Sequence, residues 1–188
     1  MQPLFTIHAG EYLVGSHIEQ ELRDKDGNKF NVWVPSKDTG IDLLVTNHNN
    51  SKVVSIQVKF SKDFLVTHGR PEYQKKLTSC GWWTLNRNKI HESPADFWVF
   101  VLHTFNQTNR QYVIVPPKQL SEILNELHPN VKSLQTYLWV TASKKCWETR
   151  GLKKKETDLI VDDNYRGNDK RNFSDFLNNW KRVIDKLT

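Results

Sequence analysis

Three polar side chains in the first third of the chain have the types and spacing for metal and phosphate chemistry. Asp42 lies in the apolar run 41–45, and Gln57 and Lys59 lie two residues apart in the apolar run 53–60. A carboxylate and an amide offer the oxygen ligands that Mg²⁺ prefers. A lysine beside them could stabilise developing negative charge or act on an attacking water. Buried charges must be paired or bind a metal, so this combination in a folded sheet needs a reason.

The elements around these residues predict that the three side chains meet. Residues 46–52 form a polar, Asn-rich connection between the two apolar runs, which predicts a β-hairpin. Because side chains alternate along a strand, Gln57 and Lys59 share one face. The hairpin register that turns Asp42 towards that face would bring an acid, an amide and a cation together at the rim of an apolar sheet.

The hydrophobic pattern along the rest of the chain predicts one α/β domain over residues 1–188. A helix is expected over 6–22, with Glu11 on its inward stripe. Further strands are expected at 30–34, 96–102, 111–115 and 137–140, and further helices at 71–77, from Pro116 to Pro129, and at about 172–187. This order of elements predicts one mixed central β-sheet flanked by helices.

Composition limits the class of protein. The chain has 188 residues, a net charge of +6 and a pI near 9.3, a positive excess that fits a phosphate-bearing partner but is shared by many other proteins. Cys80 and Cys146 form no CxxC motif, which argues against a zinc cluster or a secreted disulfide scaffold. No apolar run approaches about 18 residues and no signal peptide is evident, so we expect no membrane partner and a cytoplasmic location.

At this point the residues resemble a known pattern. Gly40-x-Asp42, the strand–turn–strand interval and Gln57-x-Lys59 resemble the core of the PD-(D/E)XK nuclease superfamily, and most closely its Mrr-type restriction endonuclease branch, in which the middle acid is often Gln. Members frequently add a Glu from the first helix, and Glu11 occupies that place. The likeness covers about residues 6–115 and implies a restriction-endonuclease-like fold.

The resemblance implies a Mg²⁺-dependent DNA endonuclease, with Mn²⁺ as a substitute, in restriction, defence or repair. It implies that Asp42 and the side-chain oxygen of Gln57 bind the metal, that the Val58 carbonyl is a further ligand, and that Glu11 holds metal or water. Lys59 would position or polarise the water and stabilise the developing charge. The water would attack phosphorus directly, without a covalent enzyme intermediate.

Basic and polar residues outside this centre are candidates for contacts to DNA phosphates. They are Gln74, Lys75 and Arg87, together with Lys144, Lys145, Lys153 and Lys154 in the basic segment 144–155. That segment could equally be a solubilising loop. Trp82 and Trp83 could stack on bases, although such tryptophans more often belong to the core. A symmetric enzyme needs two active sites, so a homodimer stays open beside DNA.

Each of these assignments has a simpler alternative. Asp42 could be a solvated acid, Lys59 could protect an edge strand, and Glu11 could reach water from the margin of its stripe. Gln57 replaces a carboxylate, which weakens metal binding and supports a second hypothesis, a catalytically decayed nuclease-fold module that binds DNA without cutting it. A third hypothesis is an interaction protein that uses its aromatic-rich C-terminal half and has no affinity for DNA at physiological salt.

Overall fold

The predicted class is confirmed, because the chain forms a mixed α/β fold. The computed structural model describes residues 3–37, 39–61, 71–104, 109–129, 131 and 133–188. The helices are α1 (Pro3–Glu21), α2 (Arg87–His91), α3 (Pro117–Leu127), α4 (Lys154–Val161) and α5 (Lys181–Leu187). The strands are β1 (Asn31–Trp33), β2 (Leu43–Thr46), β3 (Val53–Phe60), β4 (Leu77–Leu85), β5 (Phe97–His103), β6 (Arg110–Val115), β7 (Leu134–Thr141) and β8 (Cys146–Glu148).

A five-stranded sheet carries the residues that the sequence singled out. Its order is β1-β2-β3-β5-β6, in which β3 and β5 run parallel and all other neighbours run antiparallel. The predicted hairpin joins β2 to β3, with Leu43 opposite Ile56 and Thr46 opposite Val53. Its turn contains Asn50 at a positive φ of 57°, a conformation that Asn adopts more readily than most residues.

The two faces of this sheet are buried in two separate cores. On one face, α1 and α5 cover the side chains of Val54, Ile56 and Val58. On the other face, Trp98 and Phe100 pack against α3 and the second sheet. Strand β5 is buried on both faces, which explains its continuous apolar sequence. Among the described residues, no helix combines the length and the apolar character needed to cross a membrane.

Beside the mixed central sheet, the structure contains a second sheet that the sequence did not predict. This sheet has the order β4-β7-β8 and packs one face on the five-stranded sheet, while α4 covers part of the other face. The helix expected at 71–77 is a short 3₁₀ turn, Pro71–Lys75, that leads directly into β4. The sequence of β4 does not alternate between apolar and polar residues, which is why the strand was not predicted. Cys80 and Gly81 are both buried, on opposite faces, and Trp82 beside them is exposed.

The C-terminal helix is shorter than predicted. Residues 172–180 carry the apolar spacing of a helix, but only Lys181–Leu187 form α5. The reason is a competing interaction at the edge of β6, where the backbone N–H of Asn178 donates to the Tyr112 carbonyl and the Asn178 side chain accepts from the Tyr112 N–H. Asn178 has a positive φ of 52°, which ends any helix there.

The basic segment 144–155 is not a solvated loop throughout. Its centre forms β8, in which all three residues are buried. Glu148 is fully buried and accepts hydrogen bonds from Arg171 at 2.6 Å and from the Arg150 N–H at 3.1 Å. A buried carboxylate needs such partners. The two hydrogen bonds to Glu148 also hold the turn that follows β8 in place.

Asp96 ties the start of β5 to β3 and α5. Its carboxylate accepts from the Ser55 N–H at 2.8 Å, from the Ser55 hydroxyl at 2.9 Å and from Lys186 at 2.6 Å. Burial acts to raise the pKa of Asp96, but the hydrogen bonds from Lys186 and Ser55 outweigh it, and the pKa lies below its ordinary value. The ionised form of Asp96 therefore stabilises the parallel β3–β5 pair.

The first prediction concerns two glycines of α1 that differ in the space around them. A Cβ on Gly10 would lie 2.6 Å from Cβ of Phe60, whereas a Cβ on Gly15 would lie 3.4 Å from a Val32 methyl. We expect Gly10→Ala to destabilise the fold by about 1–3 kcal/mol through overpacking. Gly15→Ala should be neutral or stabilising by up to about 1 kcal/mol, from helix propensity. Urea unfolding followed by circular dichroism measures both, and equal effects of the two variants would contradict the prediction.

The second prediction follows from the lowered pKa of Asp96. Its folded-state pKa is below the unfolded value near 4, so its stabilisation is present above that pH and is lost as the pH falls through the folded pKa. We expect Asp96→Asn to be less stable than the wild type at pH 7 and to lose less stability between pH 5 and about pH 3. Urea midpoints across that range test this, with Asp26→Asn, in an exposed turn, as the matched control. An unchanged acid dependence in Asp96→Asn would refute it.

Candidate functional site

The β2–β3 hairpin brings Asp42 to the side of Gln57, as the sequence predicted. The Asp42 N–H donates to the Ile56 carbonyl at 2.9 Å, which extends the pairing to the residue just before β2. Leu43 is buried in the core beneath α1. Because neighbouring side chains point to opposite faces, Asp42 projects to the other face, where Gln57 and Lys59 also lie.

Hydrogen bonds hold the Asp42 carboxylate firmly. Its Oδ2 accepts from the Gln57 amide at 2.5 Å and from the Val58 backbone N–H at 2.6 Å. The Val58 carbonyl points to the same edge of β3 as its N–H, because both groups of a strand residue face one neighbour. One carboxylate oxygen, an amide and a main-chain carbonyl therefore cluster just before β2 begins, where β3 has no neighbouring strand on that side.

Gly40 allows the chain to approach this cluster. It has a positive φ of 83°, and a Cβ at this position would lie 3.7 Å from Oε1 of Gln57. Most other residues adopt this backbone conformation only with strain. The Gly40-x-Asp42 spacing is thus explained by a turn that presents Asp42.

The cluster lines one wall of an open cavity of about 580 Å³. Lys59 lines the same wall, with its ammonium group 4.9 Å from the centre of the Trp98 ring. Cation–π contact on this scale fixes a lysine without removing its charge. The cavity lining consists of Thr39, Gly40, Asp42, Gln57, Val58, Lys59, Phe60, Lys89, Glu92, Ser93, Pro94 and Trp98.

The cavity lining also contains residues from around α2, of which the sequence analysis missed Glu92 and Ser93. Lys89 and Glu92 come from α2 and its C-terminal end, and Ser93 accepts a hydrogen bond from the Trp98 indole at 2.8 Å. A sequence signal for α2 exists, because the Asn86 side chain accepts from the N–H groups of residues 88 and 89 as an N-cap. The docking of this short helix across from β3 depends on buried Ile90, a long-range contact that local patterns do not reveal.

Glu11 is not among the residues that line this cavity, and its expected place at the centre stays a prediction. It lines a different depression, formed by α1 with residues of β1 and β2, and lies 3.2 Å from Nδ1 of His8. The two depressions have no lining residue in common. The physical reason is that α1 packs on the Val58 side of β3, whereas Gln57 and Lys59 point to the opposite side.

The predicted DNA contacts outside the centre have mixed outcomes. The Arg87 side chain is hydrogen-bonded within the fold. Its guanidinium donates to the Val131 carbonyl, the Asn125 side chain and the His128 carbonyl. Lys145 pairs with Asp163 at 3.4 Å, and Lys154 pairs with Asp158 at 3.0 Å.

The other three candidate lysines, Lys75, Lys144 and Lys153, are exposed. The Gln74 side chain lies outside the described part of the structure.

The cavity lining includes oxygen donors of the kind that a hard divalent cation prefers. Within the described residues, no three His, Cys, Asp or Glu side chains lie close enough together to form a metal cluster. Mg²⁺ commonly uses only one or two carboxylates and takes its other ligands from water and phosphate. Asp42 and Glu92 supply two carboxylates, and the Gln57 side chain and the Val58 main chain supply carbonyl oxygens.

Comparison with known proteins found no matching family model, no matching curated protein and no matching solved structure. The functional argument therefore depends on the cavity and the residues around it.

The third prediction separates the structural role of Asp42 from its chemistry. Asp42→Ala removes the acceptor of the Val58 N–H, and leaving that group unpaired should cost about 1–3 kcal/mol of unfolding free energy. Asp42→Asn can accept both hydrogen bonds through its amide oxygen and should unfold close to the wild-type midpoint. Urea unfolding of the three proteins tests this. Equal stability of Asp42→Ala and the wild type would show that the carboxylate contributes nothing to the hairpin.

Proposed function

We propose that this protein is a metal-dependent endonuclease that hydrolyses DNA phosphodiester bonds with Mg²⁺, or with Mn²⁺ as a substitute. The observation that carries the proposal is the convergence of Asp42, Gln57 and Lys59 on one cavity wall, at the end of a hairpin that presents their polar groups to solvent. The resemblance of these residues to the PD-(D/E)XK pattern supports the same function.

The residues that would hold the cation are Asp42, the Gln57 side-chain oxygen, the Val58 carbonyl and Glu92. Both hydrogen bonds to Asp42 end on Oδ2, so Oδ1 would serve as its ligand atom. A bound cation would polarise the scissile phosphate and make an attached water more acidic. Position 57 on β3 carries an amide and not a carboxylate. Glu92, at the C-terminal end of α2, would supply the second carboxylate instead.

Lys59 and Lys89 would act on the phosphate. Lys59 lines the wall beside Asp42, where its ammonium group could stabilise the negative charge that develops on phosphorus-bound oxygens. Lys89, on the opposite wall, could bind a flanking phosphate. The charges of the lining residues, two acids and two lysines, cancel, so one divalent cation would make the cavity positive and suited to a phosphodiester.

The partner that we propose is DNA, and a cytoplasmic role in restriction, defence or repair is the setting we expect. A homodimer would be needed if both strands are cut symmetrically, because each copy of the chain carries one such cavity.

A second candidate function is a DNA-binding module without cleavage activity. The observation that favours it is the hydrogen bond from the Gln57 amide to Asp42, which satisfies the carboxylate without a cation. Gln57→Glu separates the two candidates, because an acid at position 57 beside Asp42 should tighten cation binding and raise the rate of a weak nuclease.

The fourth prediction is a cleavage test on supercoiled plasmid with Mg²⁺, Mn²⁺ or EDTA. We expect Asp42→Asn and Lys59→Met to lose about 100-fold or more of the rate, because each removes a charge that acts in the transition state. Glu92→Gln should raise the Mg²⁺ concentration needed for half-maximal cleavage. Lys25→Ala, in the exposed turn after α1, is the matched control for loss of a lysine.

Two results of this test would count against the nuclease. Wild-type rates in both Asp42→Asn and Lys59→Met would reject the assigned residues. DNA binding without cleavage under any metal, in the wild type and in Gln57→Glu, would favour the binding module instead.

A further inference from the structure

The outer face of the second sheet presents an unusual group of aromatic and basic side chains, here called the aromatic face. It consists of Trp82 on β4, Tyr137 on β7 and Arg150 after β8. The Trp82 and Tyr137 rings are 6.4 Å apart at 66°, and the Arg150 guanidinium lies 5.5 Å from the centre of the Tyr137 ring. Trp82 is 40% exposed, although a tryptophan gains more than most residues from burial.

The register of β4 fixes Trp82 on the outside. Its neighbour Trp83 points inward and packs on Phe100, with ring centres 4.9 Å apart. The Trp83 ring lies over Gly81, where a Cβ would come within 2.3 Å of it. Since Trp83 can occupy this space only while position 81 lacks a side chain, β4 cannot shift by one residue to hide Trp82.

The backbone around the aromatic face is also held in place. The Ser61 hydroxyl donates to the Trp82 carbonyl at 3.0 Å and accepts from the Trp82 N–H at 3.2 Å. Trp82 therefore forms a non-hydrogen-bonded pair with Tyr137, the kind in which cross-strand side chains lie closest. Arg150 is held through its N–H by Glu148 and through its carbonyl by Arg171.

Helix α4 covers the other end of this face and not the end that carries Trp82 and Tyr137. The same outer face contains Cys80, Trp139 and Trp147 nearer the other end, and there Ile160 and Val161 of α4 bury it. Next to the Trp82–Tyr137 pair comes Thr84 opposite Gln135, both polar. Rigid aromatic rings flanked by an arginine and by hydrogen-bonding side chains are suited to stacking on bases, with the arginine near the phosphates.

The position of Ser61 connects the aromatic face to the proposed active site. Ser61 follows β3 immediately and lies two residues after Lys59, about 7 Å along an extended chain. A nucleic acid strand bound at Lys59 would have to pass around the edge of β4, where Ser61 contacts the Trp82 backbone, to bring later nucleotides to the Trp82 ring.

We propose that the aromatic face binds unpaired DNA bases by stacking, so that the substrate is single-stranded DNA or a duplex with unpaired nucleotides. This inference rests on the proposed function for its choice of DNA. Bases inside an intact duplex are covered by their neighbours and cannot stack on a protein ring, whereas every unpaired base exposes a π-face. Stacking is tolerant of sequence, so the aromatic face would select unpaired structure and not a particular base.

The fifth prediction tests this inference by fluorescence anisotropy in EDTA, where no cleavage is expected. The probes are a labelled single strand of about 16 nucleotides and the same strand annealed to its complement. We expect Trp82→Ala to bind the single strand about 5- to 100-fold more weakly, with a much smaller change for the duplex. Trp82→Phe keeps an aromatic ring and should restore most of the affinity.

Trp33→Ala is the matched control, because Trp33 is 52% exposed but lies on β1, at the far edge of the five-stranded sheet. Failure of the wild type to bind the single strand at low salt would overturn the inference. So would equal losses in Trp82→Ala and Trp33→Ala, or equal losses for single strand and duplex.

The binding test also separates this inference from the proposed hydrolysis. If Trp82→Ala selectively weakens binding of the single strand but no metal supports cleavage by the wild type, the aromatic face is confirmed and the nuclease is rejected. If Asp42→Asn abolishes cleavage while Trp82→Ala changes neither binding nor cleavage, the nuclease stands and the aromatic face does not.

Discussion

The hydrogen bond from the Val58 N–H to the Asp42 carboxylate is the interaction on which the candidate site depends. Strand β2 begins at Leu43, so beyond this point β3 has lost its partner on that side and its main-chain groups need another. The Asp42 side chain takes over the role of the missing strand. The same bond that ends the hairpin thereby fixes an acid beside Gln57 and leaves one of its oxygens for other ligands. A structural requirement of the sheet and a chemical requirement of the cavity are met by one residue.

The strict alternation along β3 determines which elements can contribute to this chemistry. Val54, Ile56 and Val58 are committed to the core beneath α1, so Gln57 and Lys59 face the layer that contains α2 and the second sheet. Other side chains of that layer can therefore line the same cavity. This is why Glu92 reaches the cavity and Glu11, on the opposite side of the sheet, does not.

Local patterns in the sequence were sufficient where a single strand or hairpin decides the geometry. The β2–β3 turn, the convergence of Asp42 with Gln57 and Lys59, and the doubly buried β5 all follow from alternation and turn composition. Predictions failed where distant segments compete for the same hydrogen bonds or the same surface. Asn178 exchanges two hydrogen bonds with Tyr112 and so interrupts a helix that its neighbours would otherwise form. Ile90 docks α2, a helix of five residues that is too short to be predicted from helix propensity alone.

The connection between the cavity and the aromatic face follows from the way the two sheets join. On the side of β4 away from β7, an unprotected edge would invite pairing with other chains. Ser61 covers part of that edge through the Trp82 backbone, and a single bridge between Ser79 and Thr104 joins it to the end of β5. Both contacts lie just beyond the carboxyl ends of the parallel strands β3 and β5, where Lys59 is also found. Because these contacts place the Trp82 backbone beside this end of the five-stranded sheet, the proposed stacking surface would lie near Lys59, the lysine that we propose acts on phosphate.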